Sequence, residues 1–214
     1  MRFKLTKNTL DASTREEILN VAQSVFSENG FKEATVRQIC KAAKANVCLI
    51  SYYFGGKDGL YVAVFERMAK IRLEHIKTVL GDTTSISSRE EYRLRLQLFL
   101  EGMYREISSK PEFFKLIQRE IIDGMPRASA VIKNYIGTAH MMFLNFLELG
   151  QKQKYLKRDL NPRMTMLSIM NMITGAVSQQ YNDADFFFKD IDQKDIPEIV
   201  IKTVSQIFFE GVLQ

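Results

Sequence analysis

Apolar positions recur at three- and four-residue spacing along nearly the whole chain, the period of a helix that buries one face. Ile18, Val21, Ala22 and Val25 form the first such stripe, with Ser13 or Thr14 to cap it, a run to about Asn29 and Gly30 to stop it. Val36, Ile39, Cys40 and Ala43 form a short second stripe behind the cap residue Thr35. Asn46 opens a third segment, because its side-chain oxygen accepts from a backbone N–H that has no partner within the helix. Phe54-Gly55-Gly56 breaks that segment, and Lys57 and Asp58 begin a long amphipathic helix to about Leu80. Leu60, Val64, Met68, Ile71 and Leu80 lie near one side of it.

Beyond Leu80 the pattern stays helical. Gly81 to Ser88 is a loop by composition, and helices follow from about Arg89 to Ile107 and through Phe113, Phe114, Ile117 and Ile121. Gly124-Met125-Pro126 ends the second, and a long apolar segment runs from about Arg127 to Leu149. Pro162 is suited to open the next helix, its missing N–H being one that a helix start leaves unpaired anyway. Lys189 to Asp195 is a charged linker before a terminal helix with Ile199, Val200, Val204, Ile207 and Phe208. No strand and no internal repeat emerges, so the expected fold is all-α.

With 214 residues, 46% of them hydrophobic and 26% charged, the chain can bury a sizeable core and has no signature of wholesale disorder. The net charge is +5, unevenly placed: through Lys57 nine basic residues face five acidic ones. A basic segment that also carries two short helices fits phosphate binding, although the charge excess alone suits a solvated surface equally well. Cys40 and Cys48 form neither a disulfide framework nor a CxxC pair. No apolar run approaches the ~18 residues of a membrane span. The opening MRFKLTKNTLDAST lacks an apolar h-region, so no secretory signal is expected and a reducing cytoplasmic setting follows.

The segment TVRQICKAAKANVCLISYYFGGK, Thr35 to Lys57, joins two short helices by a tight turn. That geometry places the second helix in the DNA major groove. Together with TREEIL, VFSENGFKEATVRQICKAA, ISYYF and GGKDGLY in order, it resembles the N-terminal domain of the tetracycline-repressor (TetR) family, closely over Thr14 to Tyr61. The resemblance implies a three-helix helix-turn-helix DNA-binding domain over residues 1–56, with 1–13 as an N-terminal arm. It further implies a helical effector-binding and dimerisation domain over 57–214. Lys57 matches the family's phosphate-contacting lysine, and Tyr53 stands where the family commonly has His. The chain departs from the family at Lys44, where Gly is usual, and at Cys48, where Gly or another small residue is usual.

The residues themselves point to matching roles. Thr35 and Asn46 sit at helix N-termini, where free N–H groups favour phosphate. Tyr52 and Tyr53 offer hydroxyls and Lys57 a charge. Arg37 has the fork that reads a guanine edge, or it meets phosphate only. Val47, Cys48, Leu49 and Ser51 are expected to face the groove, and only Ser51 among them carries a conventional base-reading group. Specificity is then expected to draw on DNA shape and half-site spacing. Arg2, Lys4 and Lys7 suit either a minor-groove arm or a frayed tail.

The resemblance also implies a homodimer whose last two long helices pair across a two-fold axis, with Met166, Ile169, Met170, Ile173, Val177, Val204, Ile207 and Phe208 at the interface; burial in a monomer core is the plainer reading. A small-molecule pocket, expected by the same resemblance, would take its lining from Met68, Phe99, Met103, Phe114, Ile117, Phe143 and Phe146, with Glu120 and His140 as polar anchors. Methionine and aromatic faces suit a hydrophobic effector, although each of these residues would serve equally as ordinary core. Effector binding would tilt the helix from Lys57 and change the separation of the two recognition helices, releasing a (pseudo)palindromic operator; repression is the family default.

Catalysis is not expected: His75 and His140 lack metal-ligand spacing, and neither a glycine-rich phosphate loop nor a nucleophile elbow is present. No metal or cofactor is implied. Two other readings stay open, a redox switch on Cys40 and Cys48 with Lys41 and Lys44 as thiolate stabilisers, and an effector-free DNA binder.

Overall fold

The computed structural model describes residues 7–81, 86–109, 111–124, 127–182 and 184–212. Among them there is no strand. The helices are α1 (Lys7–Glu33), α2 (Val36–Ala42), α3 (Val47–Phe54), α4 (Lys57–Leu80), α5 (Arg89–Ser109), α6 (Pro111–Ile122), α7 (Ser129–Val131), α8 (Gly137–Lys152), α9 (Pro162–Asn182), α10 (Ala184–Phe187) and α11 (Ile196–Val212). A π-helical stretch, Ile132–Ile136, joins α7 to α8.

One boundary differs from the sequence expectation. α1 starts at Lys7, ahead of the anticipated cap at Ser13 or Thr14, because no Gly or Pro precedes those residues to stop it. Lys7 is therefore helical rather than part of an arm, while Arg2 and Lys4 lie outside the described residues. The long apolar segment expected from Arg127 to Leu149 holds α7, the π stretch and α8, with β-branched Val131, Ile132 and Ile136 preceding Gly137.

By packing, the chain forms two compact units: Met1–Ile71 with Glu112–Ile136, and Arg72–Pro111 with Gly137–Gln214. The first unit gathers Ile18, Leu19, Ala22 and Phe26 of α1, Ile39 and Cys40 of α2, Ile50 of α3 and Leu60, Tyr61, Val64 and Phe65 of α4 into one cluster. Phe113, Leu116, Ala128 and Val131 complete it, so α6 and α7 close the core of the first unit. The rings of Phe26 and Tyr61 meet edge-on at 4.9 Å, and those of Phe65 and Phe113 at 5.8 Å. Gly30, at φ 73°, kinks the end of α1. Arg119 of α6 donates to the carbonyls of Phe26 (3.4 Å) and Glu28 (3.2 Å) just before that kink.

In the second unit α9 packs against α5, α8 and α11. Tyr92 stacks on Phe146 at 4.3 Å and donates to its carbonyl at 3.2 Å. Tyr104 donates to Gln180 at 3.1 Å, tying α5 to α9. Pro162 does open α9, and Asn161 caps it by accepting from the N–H groups of Arg163 and Met164.

Candidate nucleic-acid interface and effector region

The geometry of α2, the turn and α3 follows from their caps. Thr35 and Gln38 form a reciprocal capping box, Thr35 Oγ1 accepting from Gln38 N at 3.2 Å and Gln38 Oε1 accepting from Thr35 N at 2.8 Å. Asn46 Oδ1 accepts from Cys48 N at 2.9 Å and starts α3. α3 ends after two turns because Gly55 adopts the left-handed conformation at φ 73° and its N–H reaches Ser51 O at 3.0 Å. The turn between the helices holds Lys44 at φ 50°, a left-handed conformation that a side chain resists.

So short a helix has one anchoring side. Ile50 is buried, and Leu49, Tyr53 and Phe54 pack half-buried against the head's core. Val47, Cys48, Ser51 and Tyr52 remain exposed at i, i+1, i+4 and i+5, and thus share one face. Leu49, expected at the groove, is half-buried and packs against the head's core. Tyr52 is 74% exposed, so its hydroxyl stands free of the core that half-covers Tyr53. Arg37, Lys41 and Lys44 are exposed along α2 and the turn.

The Lys57 ammonium donates to Lys32 O at 3.3 Å and lies 4.3 Å from the centroid of Phe31. Cys40 is buried, and burial pushes its thiol pKa up, the opposite of an activated thiolate. Cys48 is exposed.

The expected pocket residues fall in both packing units. Met68, Phe114, Ile117 and Glu120 belong to the first, and Phe99, Met103, His140, Phe143 and Phe146 to the second. Met68 and Ile117 are part of the same core as Phe26. Glu120 is 2% exposed and already satisfied: it accepts from the backbone N–H of Arg127 (3.3 Å) and Ala128 (3.1 Å), and Tyr61 hydrogen-bonds to it. That carboxylate caps the turn into α7 rather than waiting for a ligand. In the second unit Phe99 and Phe143 meet at 4.4 Å, and His140, half-buried on α8, has its pKa lowered first by burial and then by the charge of Arg72.

Five of the expected interface residues, Ile169, Ile173, Val177, Val204 and Phe208, are at most 5% exposed within the single chain. They pack the second unit itself and have almost no surface left to give a partner. Met166 and Met170 are half-buried, and Ile207 is exposed. The open face of α9 carries Met164, Leu167, Asn171 and Gly175, and that of α11 carries Ile199, Thr203 and Ile207. Five of the eight expected positions thus lie on the inner side of these helices, while Met166, Met170 and Ile207 keep exposed surface.

Among the described residues no helix is long and apolar enough to cross a membrane, and no group of His, Cys, Asp or Glu could hold a metal ion. Two family models match the chain: bacterial regulatory proteins of the tetR family over residues 18–64, and the tetracyclin repressor-like C-terminal domain over residues 94–204. The chain belongs to the tetracycline-repressor family. Within it, the chain is similar to the transcriptional repressor NicS of Pseudomonas putida, 25% identical over 93% of this chain and 92% of that protein. It is similar also to YttP of Bacillus subtilis, described as a probable transcriptional regulator, 26% identical over 68% of each chain. Its fold matches the Bacillus subtilis regulator FadR in complex with stearoyl-CoA, with a TM-score of 0.72, 17% identity, and coverage of 92% of this chain and 98% of that one. As a TetR-family regulator the protein binds DNA through its helix-turn-helix head.

Proposed function

We propose that the protein is a repressor that binds an inverted-repeat operator as a homodimer and leaves it when a small, largely apolar effector occupies the body. The observation that carries this reading is the exposed face of α3, Val47, Cys48, Ser51 and Tyr52, on a helix capped at both ends and held to the core by Ile50. Ser51 and Tyr52 supply hydroxyls, Val47 an apolar contact for thymine methyls, and Arg37 and Lys44 flank them with charge. A two-fold dimer places two such helices on half-sites about one helical turn apart. The partner surface is the open face of α9 and α11, where Met164, Leu167, Ile199 and Ile207 are between 42% and 56% exposed. NicS, a repressor, supports the sign of regulation, and the stearoyl-CoA complex of FadR supports an apolar effector in a body of this fold. The protein acts by binding, in the cytoplasm, without catalysis. No observation favours the redox reading, given the buried thiol of Cys40.

Selection of bound duplexes from a random pool, with the mass of the winning complex determined, tests this. An enriched inverted repeat carrying two chains per repeat is the expected result. No enrichment, with one affinity for every duplex, would leave only a non-specific binder. Screening the enriched duplex against apolar small molecules then tests release.

Lys44 gives a sharper check on the head. A left-handed non-glycine residue costs about 1–3 kcal/mol, of which a glycine returns about 0.5–1 to the unfolded chain's entropy. Lys44→Gly is therefore expected to stabilise the protein by about 1 kcal/mol, a rise of about 2–4 °C in Tm. The same change removes a charge beside α3, so operator affinity should fall and the salt slope should shrink by about 0.9 per lost phosphate contact, counted once per protomer. A variant that is more stable and binds the operator with an unchanged slope would show that Lys44 meets no phosphate.

A further inference from the structure

The second unit is built on apolar helices, yet within it Arg72 pairs with a single acid and its charge reaches His140. Arg72 lies on α4, Glu106 on α5 and His140 on α8. The Arg72 side chain is 16% exposed and that of Glu106 27% exposed, and their charged groups are 3.8 Å apart. At that distance the two attract as ions but do not hydrogen-bond. Among the described residues the Arg72 guanidinium has this ion pair and no hydrogen bond. A guanidinium offers five donors in a planar fork, and one so little exposed ordinarily holds a carboxylate bidentately. Glu106, at 3.8 Å, leaves that fork incompletely filled among the described residues.

The surroundings define what would fill it. Phe99 and Met103 lie two turns and one turn before Glu106 on the same helix, and Phe143 lies one turn after His140. Phe99 and Phe143 touch, at 4.4 Å between ring centres, and both are at most 5% exposed. The polar groups thus share their helices with a buried aromatic and methionine cluster. His75, one turn after Arg72, brings its Nε2 to 2.7 Å from where a Cβ on Gly102 would be, so glycine keeps α4 and α5 close beside the cluster. The titratable groups there are Arg72, His75, Glu106 and His140. With His140 neutral the Arg72–Glu106 pair balances.

We infer that this cluster anchors an effector with a carboxylate head and an apolar tail, the head between Arg72 and His140 and the tail along Phe99, Met103 and Phe143. The carboxylate would take the two parallel guanidinium N–H bonds that Glu106 leaves unmade. This rests on the effector-release reading and narrows it to anionic amphiphiles. Of the residues that carry it, Arg72 and Glu106 are the two that the pattern of apolar positions passes over.

Three ten-carbon ligands of equal tail and different head, decanoate, decanol and decyltrimethylammonium, titrated below their micellar concentrations into the full-length protein, test the inference. The readouts are the melting temperature and the anisotropy of a labelled operator duplex. Decanoate is expected to bind at least tenfold more tightly than decanol and to release the duplex. Arg72→Gln should weaken decanoate at least tenfold and leave decanol unchanged, while Arg72→Lys, which keeps the charge but not the fork, should fall between. His140→Asn should weaken decanoate by a smaller factor and serves as a second variant should Arg72→Gln unfold. Equal binding of decanoate and decanol, or decanoate binding indifferent to both substitutions, overturns the anchor. Release by the cationic or neutral ligand alone also overturns it while leaving effector release intact. Binding of none of the three overturns the anionic class, and effector release itself then stands or falls with the wider screen.

Discussion

Leu167→Glu is expected to convert the protein to monomers and to cut operator affinity by two orders of magnitude or more. Leu167 is 48% exposed on α9, between Met164 at 56% and the small residues Ser168 and Gly175. In the isologous interface proposed above every substitution occurs twice, so this one would bury two carboxylates where Lys202 and Arg163 are the exposed cations among the described residues of α9 and α11. Loss of the dimer converts the second half-site from an intramolecular contact to a bimolecular one, a penalty of about 10²–10⁴ in affinity. Sedimentation of the variant and anisotropy on the operator measure the two effects separately. Ile173→Ala is the control: Ile173 is 2% exposed inside the protomer, and truncation there should cost about 2–5 kcal/mol of stability without dissociating the dimer. If Leu167→Glu remained dimeric with wild-type affinity while Ile173→Ala dissociated, the interface would lie on the inner stripe after all.

That contrast shows what apolar spacing does and does not encode. Periodicity found α9 and α11 and their apolar character, because i, i+3 and i+4 recurrence is a property of one helix alone. Which side of such a helix meets its own chain depends on α5 and α8, far away in sequence, and periodicity is blind to that. The same blindness put Leu49 on the groove face: in the run Val47-Cys48-Leu49-Ile50 every residue is apolar, and only contact with the head's core separates inner from outer. The caps at Thr35 and Asn46 were legible because a cap is decided within four residues. Arg72 was not legible, since an arginine on an amphipathic helix looks solvated until α5 brings Glu106 beside it. Glu120 misled for the opposite reason. A lone carboxylate in an apolar segment looks like a ligand anchor when its partners are backbone N–H groups across the turn that Gly124 allows.

Glu120→Ala is accordingly expected to destabilise the head by about 3–5 kcal/mol, through its buried donors rather than through any ligand. The carboxylate accepts from the N–H groups of Arg127 and Ala128 and from the Tyr61 hydroxyl. Burial, and then the charge and hydrogen bond of Glu120, hold the Tyr61 hydroxyl firmly protonated, so at any working pH it must donate to something. Alanine strands all three donors where only 2% of the Glu120 surface reaches solvent. The loss spreads through Arg127. Its guanidinium lies 3.7 Å from the centroid of Phe31 on α1, and its Nε is 3.4 Å from Asp58 Oδ1 at the start of α4. That contact with Asp58 is ionic only, for the Nε has no hydrogen-bond partner, and it depends on the backbone that Glu120 holds. Freed from its cap, the turn before α7 releases both α1 and the N-terminus of α4, the two helices against which α2 and α3 are set. Glu120→Gln keeps one acceptor and the shape but loses the charge, and should cost about 1–2 kcal/mol. Urea unfolding measures both variants, with the midpoint falling and the slope unchanged. An unmoved midpoint in Glu120→Ala, together with an altered response to ligand, would return this carboxylate to the role of effector anchor.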